Sequence, residues 1–325
     1  ITVLYSLGYR FDAGFRLKKT GGLYIASPVS GSEIFINSEF QKRTNLLQSG
    51  VFTQNLSPGK YKILVARENY EPWLKELEVF SQKVTEARAL LVPRETNGQI
   101  ILKGRFSQIK SSPFDPVLLL VEEGTRRNIL NWYLPSPGEF LSLQTGAASS
   151  SFKTSFELIR WQKGSASVKL DGRVLKMDFD LSERAVDPAE LGSKAFQRSP
   201  EEERALAKRD EAQGSAELLW DEGKKELRAR WLRDAPPPYY FLAPEEVMLR
   251  GKSIRNFEFF PKRRDAALIA FDNGIWALEL DGRGGRNIKA VYRGKFPDFA
   301  LLAGDENIYI LDDGNLIRAS LSARE

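Results

Sequence analysis

The chain has 325 residues, 42% of them hydrophobic, with 48 Lys+Arg against 43 Asp+Glu, and no cysteine or histidine. The length allows about two domains, and the apolar content supports packed cores rather than disorder. Disulfides, thiolate metal sites, Cys nucleophiles and His-based acid–base catalysis are excluded. The net charge of +5 is placed unevenly: residues 1–94 carry 13 Lys+Arg against 8 Asp+Glu, and the remainder carries 35 of each. A basic end next to a neutral body fits contact with anionic headgroups or an anionic envelope polymer, or simple solubility. No basic helix or Arg/aromatic module accompanies it, so nucleic acid is not an expected partner.

The chain opens Ile1-Thr2-Val3-Leu4-Tyr5-Ser6-Leu7-Gly8-Tyr9. This run is far shorter than the ~20 residues of a spanning helix. It reads as the last turns of one, with Tyr5 and Tyr9 at the interface and Arg10 beyond. The expectation is a single-pass protein at the cell membrane, tethered by a helix that precedes residue 1, with its body outside the cytoplasm. Residues 1–19 would be the end of that anchor and a connector; an amphipathic strand is the alternative.

Residues 20–94 read as a compact unit of short strands. Leu23–Ala26, Glu33–Asn37 and Val51–Leu56 are apolar runs broken by Pro, Gly and polar residues. Ser57-Pro58-Gly59 is a turn, with Pro presetting φ and Gly free to take φ > 0. Tyr61, Ile63 and Val65 then share one strand face, and Leu77 and Val79 oppose Glu76 and Glu78. The unit closes at Pro93. Short strands with Pro/Gly turns predict a small antiparallel β-sandwich. Pro58, Gly59, Tyr61, Tyr70 and Trp73 are its expected structural residues.

The order Leu23 to Pro28, Ile34 to Asn37, Leu56 to Val65 and Asn69 to Trp73 resembles the PEGA domain. That resemblance implies a small β-sandwich found in bacterial and archaeal envelope proteins, acting as a structural or interaction module. The tetrapeptide that names the family reads Pro28-Val29-Ser30-Gly31-Ser32 here, and its usual Asp-Gly turn is Asn37-Ser38.

Residues 94–115 look like a linker. From there to residue 325 an approximate repeat of strand, tight turn and strand begins near Pro116, Phe156, Ala216, Ala266 and Phe299. Asp171-Gly172, Asn273-Gly274 and Asp313-Gly314 are hairpin signals. This resembles the propeller domains that follow PEGA-like units in some membrane-anchored bacterial proteins. The expectation for residues 95–325 is a β-propeller of about five to six irregular blades, or alternatively a large β-sandwich. Ser199-Pro200 followed by Glu202 predicts one helical insertion over residues 199–213.

Candidate sites are sparse. Asp281-Gly282-Arg283-Gly284-Gly285-Arg286-Asn287 has the glycines of a phosphate loop, with Arg283 and Arg286 as anion ligands. It joins two strands instead of opening a helix, which favours a hairpin loop. Lys262-Arg263-Arg264 is a solvated turn or an anion contact. Asp312-Asp313-Gly314-Asn315 and Asp178-x-Asp180 lack the ligand set of a calcium loop. Trp132, Tyr133, Tyr239 and Tyr240 are stacking candidates for sugar or peptide, with core packing as the alternative. No cofactor, metal site or catalytic residue is singled out. The reading is a non-catalytic envelope interaction or scaffold module whose partner is an envelope protein or polysaccharide. Its alternatives are a glycosidase-like propeller hydrolase using paired carboxylates and an extracytoplasmic ligand sensor.

Overall fold

The structure, a computed structural model, describes residues 9–11, 17–96, 98–124, 128–136, 138–143, 156–170, 173–178, 183–185, 215–302 and 304–322. Every regular element among them is a β-strand. The helix expected over residues 199–213 and the Asp171-Gly172 turn lie outside the described residues.

The N-terminal unit holds β1 (Tyr9–Phe11), β2 (Leu17–Lys19), β3 (Gly21–Ala26), β4 (Glu33–Ile36), β5 (Glu39–Arg43), β6 (Gly50–Leu56), β7 (Gly59–Ala66), β8 (Tyr70–Glu71), β9 (Trp73–Val79), β10 (Val84–Arg88) and β11 (Val92–Pro93). Two sheets face each other, in the orders β10-β3-β6 and β5-β4-β7-β9. Strict alternation drives the facing: along β9, Trp73, Lys75, Leu77 and Val79 are buried while Leu74, Glu76 and Glu78 are exposed. With Leu23, Ile25, Ile34, Ile36, Ile63 and Val65 they form one core. The sandwich departs from the antiparallel expectation at one pair, because β10 runs parallel to β3. The chain has crossed to the second sheet and back between these strands, and such a crossover delivers a parallel partner.

The two turns noted in the sequence have the backbone they need. Asn37 and Ser38 take φ of 50° and 71°, the positive pair of a two-residue hairpin turn. The Asn37 side-chain oxygen accepts the Lys62 N–H at 2.9 Å. Gly59 takes φ 152° with open space where a Cβ would lie, and the Tyr61 hydroxyl donates to the Ser57 carbonyl at 2.9 Å. A side chain at Gly59 therefore meets backbone strain and no clash. Gly59→Val should lower stability by about 1 kcal/mol, read as a shift in urea midpoint at constant m; an unchanged midpoint counts against it.

The remaining strands form five antiparallel sheets. The first holds β13 (Phe106–Ser111), β14 (Leu118–Glu123), β15 (Asn128–Leu134) and β16 (Glu139–Leu143). The second holds β17 (Phe156–Gln162), β18 (Ser165–Leu170), β19 (Arg173–Asp178) and β20 (Glu183–Ala185). The third is β21 (Ala216–Asp221), β22 (Glu226–Trp231) and β23 (Glu245–Arg250). The fourth is β24 (Asn256–Phe259), β25 (Ala266–Phe271), β26 (Gly274–Glu279) and β27 (Ile288–Arg293). The fifth is β28 (Asp298–Leu301), β29 (Asn307–Asp312) and β30 (Asn315–Ser320), with β12 (Gly98–Leu102) paired antiparallel to β30. The stretch that reads as a linker thus contributes β12 and β13, and the chain's last strand is held by one that precedes the first sheet.

Apolar clusters join these sheets face to face. Trp132 and Leu119 of the first meet Val168 and Met177 of the second. Phe106, Ile109 and Tyr133 of the first meet Ala300, Tyr309 and Leu316 of the fifth. Ala229 and Leu227 of the third meet Ile269 and Leu278 of the fourth. The fourth and fifth share their cluster with the N-terminal sandwich. The arrangement is propeller-like, with the sandwich built into its wall.

Candidate functional site

The first site is the junction between sandwich and propeller-like body. It begins with the inward row of β9, which places Trp73 and Lys75 at the sandwich edge. The Lys75 side chain is fully buried, with Nζ 2.9 Å from Glu279 Oε2 and 3.7 Å from Asp281 Oδ2. It also donates to the Asp281 carbonyl at 2.8 Å. Trp73 Nε1 donates to the other Glu279 oxygen at 3.2 Å, and Asn287 Nδ2 donates to Oε2 at 2.9 Å. Arg283 closes on the Asp281 carboxylate through Nε at 2.9 Å and Nη2 at 2.7 Å. It reaches the Glu86 carbonyl of β10 as well. Beside it, buried Arg263 pairs with Asp265 and donates to the Ala89 carbonyl at 2.8 Å. Three cations and three carboxylates are matched here, as buried charge must be.

The Gly-rich segment therefore does not take the form of a phosphate loop. It joins β26 to β27 and lies against the sandwich. Gly284, at φ 62°, sits where any Cβ would collide with the Glu76 carbonyl. Gly284→Ala combines that collision with left-handed backbone, so it should cost about 2–3 kcal/mol and loosen the junction. Thermal melting tests this; a shift under about 2 °C would show that the loop moves away freely.

The predicted binding residues separate. Arg283 is committed to Asp281, and Arg286 donates to Glu246 Oε2 and the Leu280 carbonyl. Tyr239 and Tyr240 are half-buried and meet edge-on at 5.4 Å, with the Arg283 guanidinium 4.9 Å above the Tyr239 ring. Burial raises the Tyr239 hydroxyl above the ordinary tyrosine range, helped by Asp265 and Asp281 and opposed by Arg263 and Arg283. Arg283, Tyr239 and Tyr240 are thus stacked together beside the junction. Trp132 and Tyr133 lie inside the core, 0% and 5% exposed, against Trp161 and Tyr309 respectively. Among the predicted structural residues, Tyr70 and Trp73 are buried. Lys75 was missed by the sequence reading, although extending the Leu77–Val79 row by one step places it inward.

The second site is a cavity of about 350 Å³. Its walls come from the edge strands of three sheets: Leu218 of β21, Phe257, Glu258 and Phe259 of β24, and Leu301 of β28. Ser112 and Pro113, after β13, complete the ring of contributors. The turn after β24 supplies Phe260, Pro261, Lys262 and Arg264. That turn is divided: Arg263 points to the sandwich, while its two neighbours line the cavity. Arg264 stacks on Phe259 at 4.7 Å, and Lys262 pairs with Glu306 at 2.5 Å.

Asp305 also lines the cavity. Its oxygens accept the Asn307 N–H and Nδ2–H and the Tyr309 hydroxyl at 2.7–2.9 Å. Partial burial opposes its charge, but these donors prevail and hold the carboxyl below its ordinary value. Burial, and then the same bond, push the Tyr309 hydroxyl up. Asp305 is thus a fixed anion, suited to holding the loop and unsuited to delivering a proton near neutrality. Among the described residues no cluster of three or more acidic side chains is placed to hold a metal, and no helix is long and apolar enough to cross a membrane.

No curated protein matches the chain. Solved structures that match the chain include a prolyl endopeptidase (12% identity, TM-score 0.21), covering 66% of this chain and 33% of that one. A gluconolactonase from Xanthomonas campestris covers 80% and 82% at 11% identity and TM-score 0.28. The Cps50 (Swd1) β-propeller domain of Myceliophteria thermophila covers 80% and 93% at 8% identity and TM-score 0.29. The chain spans about a third of the length of the prolyl endopeptidase. Residues 20–95, which carry the turn at Pro58-Gly59 and the buried Trp73, match the PEGA domain family.

Proposed function

We propose that this chain is a non-catalytic interaction or scaffold module of the cell envelope. In this reading a membrane segment precedes the described residues, the body lies outside the cytoplasm, and the PEGA unit is a fixed wall of the body. The five sheets form one five-bladed ring, closed where β12 pairs with β30. The recognition site is the cavity at the edge strands. The observation that carries the reading is the commitment of charge: the carboxylates of the junction are neutralised by Lys75, Arg263 and Arg283, and the cavity's Asp305 is taken up by donors from Asn307 and Tyr309. What the cavity offers a ligand is a mixed lining, with Leu218, Phe257, Phe259 and Leu301 beside Glu258, Lys262, Arg264 and Asp305.

Cosedimentation with isolated cell envelopes tests the reading. The wild type should bind, and Pro113→Trp, which adds bulk to the cavity lining, should weaken binding about tenfold or more. Binding that is indifferent to Pro113→Trp would remove the cavity from the account. Turnover of glycoside substrates, lost on Glu258→Gln, would replace the module by the hydrolase.

A further inference from the structure

β24 lines the cavity with three consecutive residues, Phe257, Glu258 and Phe259. Successive side chains of a strand point to opposite faces. One cavity meets all three only if it lies along the strand's edge, where the backbone is presented. The topology agrees, since β24 is the terminal strand of its sheet and pairs with β25 alone.

The register identifies the groups that face the cavity. Phe260 and Ala266 are directly opposed and hydrogen-bonded, with the Phe260 N–H donating at 2.9 Å. The pairing continues as Phe259↔Ala267, Glu258↔Leu268 and Phe257↔Ile269. In an antiparallel ladder bonded and non-bonded pairs alternate. Glu258 is therefore bonded to β25, while the N–H and C=O of Phe257 and Phe259 point away from it. Among the described residues nothing is hydrogen-bonded to those outward groups. Leu218 and Leu301 line the same cavity as this open edge.

We propose that this edge is a peptide-docking site: an extended segment of a partner protein adds to β24 as a short strand, bonding the backbone of Phe257 and Phe259. This deepens the function proposed above and rests on the cavity's being the recognition site. An occupant must supply alternating donors and acceptors at strand spacing, which a peptide does and a sugar ring does not. About 350 Å³ admits roughly three residues, and β24 is four residues long. Apolar side chains on the incoming strand would meet Leu218, Leu301 and the phenylalanines, giving specificity beyond the backbone. The Pro261–Asp265 turn beside the edge is anchored to the sandwich through Arg263 and Ala89, so the PEGA unit holds one end of the dock.

The experiment uses the intact chain and an immobilised array of end-blocked pentapeptides with apolar residues at positions one, three and five. Bound peptides are remade with N-methyl groups on alternate amides, in each of the two frames. Strand addition predicts that one frame loses affinity about tenfold or more while the other keeps it. Amide exchange at Phe257 and Phe259 should slow on binding. Equal effects of the two frames, or no binder in the array, overturn the proposal. If the array fails while Pro113→Trp still abolishes envelope binding, the cavity remains the recognition site and its ligand is not a strand. If both fail, the functional reading falls with it.

Discussion

Lys75→Ala should destabilise the chain by about 3–5 kcal/mol, because it removes one partner from a buried ion cluster. The side chain has no exposure to water, and Glu279 and Asp281 are almost as enclosed. Truncation leaves Glu279 with only Trp73 and Asn287 as donors, and neither neutralises it. Asp281 keeps Arg283, so the loss should centre on Glu279. The attraction within the cluster only roughly offsets the cost of dehydrating it. The paired change Lys75→Met with Glu279→Gln should therefore recover most of the loss, since it removes both charges at similar volume. Guanidinium unfolding followed by tryptophan fluorescence reads both variants. The wild type should unfold in one transition, because sandwich and body share a core. Lys75→Ala should shift that transition or split it in two. A loss below about 1 kcal/mol would mean that water reaches Lys75 and that the junction rests on apolar contact alone.

Much of the sandwich was legible in the sequence, because its signals are local. Pro58-Gly59 presets a turn, and Trp73 to Val79 alternates strictly, so neighbouring residues carry the information. The hairpin at Asp313-Gly314 was legible for the same reason; Asp313 takes φ 47° and Gly314 φ 72°. At the Asn273-Gly274 signal a hairpin does form, but its turn is Asp272-Asn273, and Gly274 stands in β26 opposite Phe271. The repeat starts visible in the sequence lie one strand late in places: Ala266 begins β25, and β24 carries little signal because Asn256–Phe259 is short and half-buried throughout. β12 looked like a linker because its residues are largely exposed, and its partner β30 lies at the other end of the chain. The Gly-rich loop is the clearest case of a local signal with a non-local meaning. Its glycines permit close approach, as the phosphate-loop pattern implies, but what approaches is the Glu76 backbone. Which edge of a sheet stays uncovered is written nowhere in the strand itself, so the β24 site could not be read from the residues that make it.

Removing residues Leu316 to Leu321 should abolish cooperative folding of the body. β30 pairs with β29 on one side and β12 on the other, so its loss breaks two ladders at once. Leu316, Ile317 and Leu321 are at most 8% exposed. At about 1.5–3 kcal/mol each, burying these three large side chains contributes about 5–9 kcal/mol. The net stability of a folded domain is about 5–15 kcal/mol, so the deletion removes an amount of the same size. The damage reaches both ends of the chain, because Leu316 packs in the cluster joining first and fifth sheets, whereas Ile317, Ala319 and Leu321 pack in the one shared with the sandwich. The truncated chain should give a non-cooperative melt by circular dichroism and rapid amide exchange throughout the fifth sheet. Should it instead melt sharply within a few degrees of the parent, the ladders on either side of β30 would not be what holds the fifth sheet together, and the ring closure proposed above would fall with them.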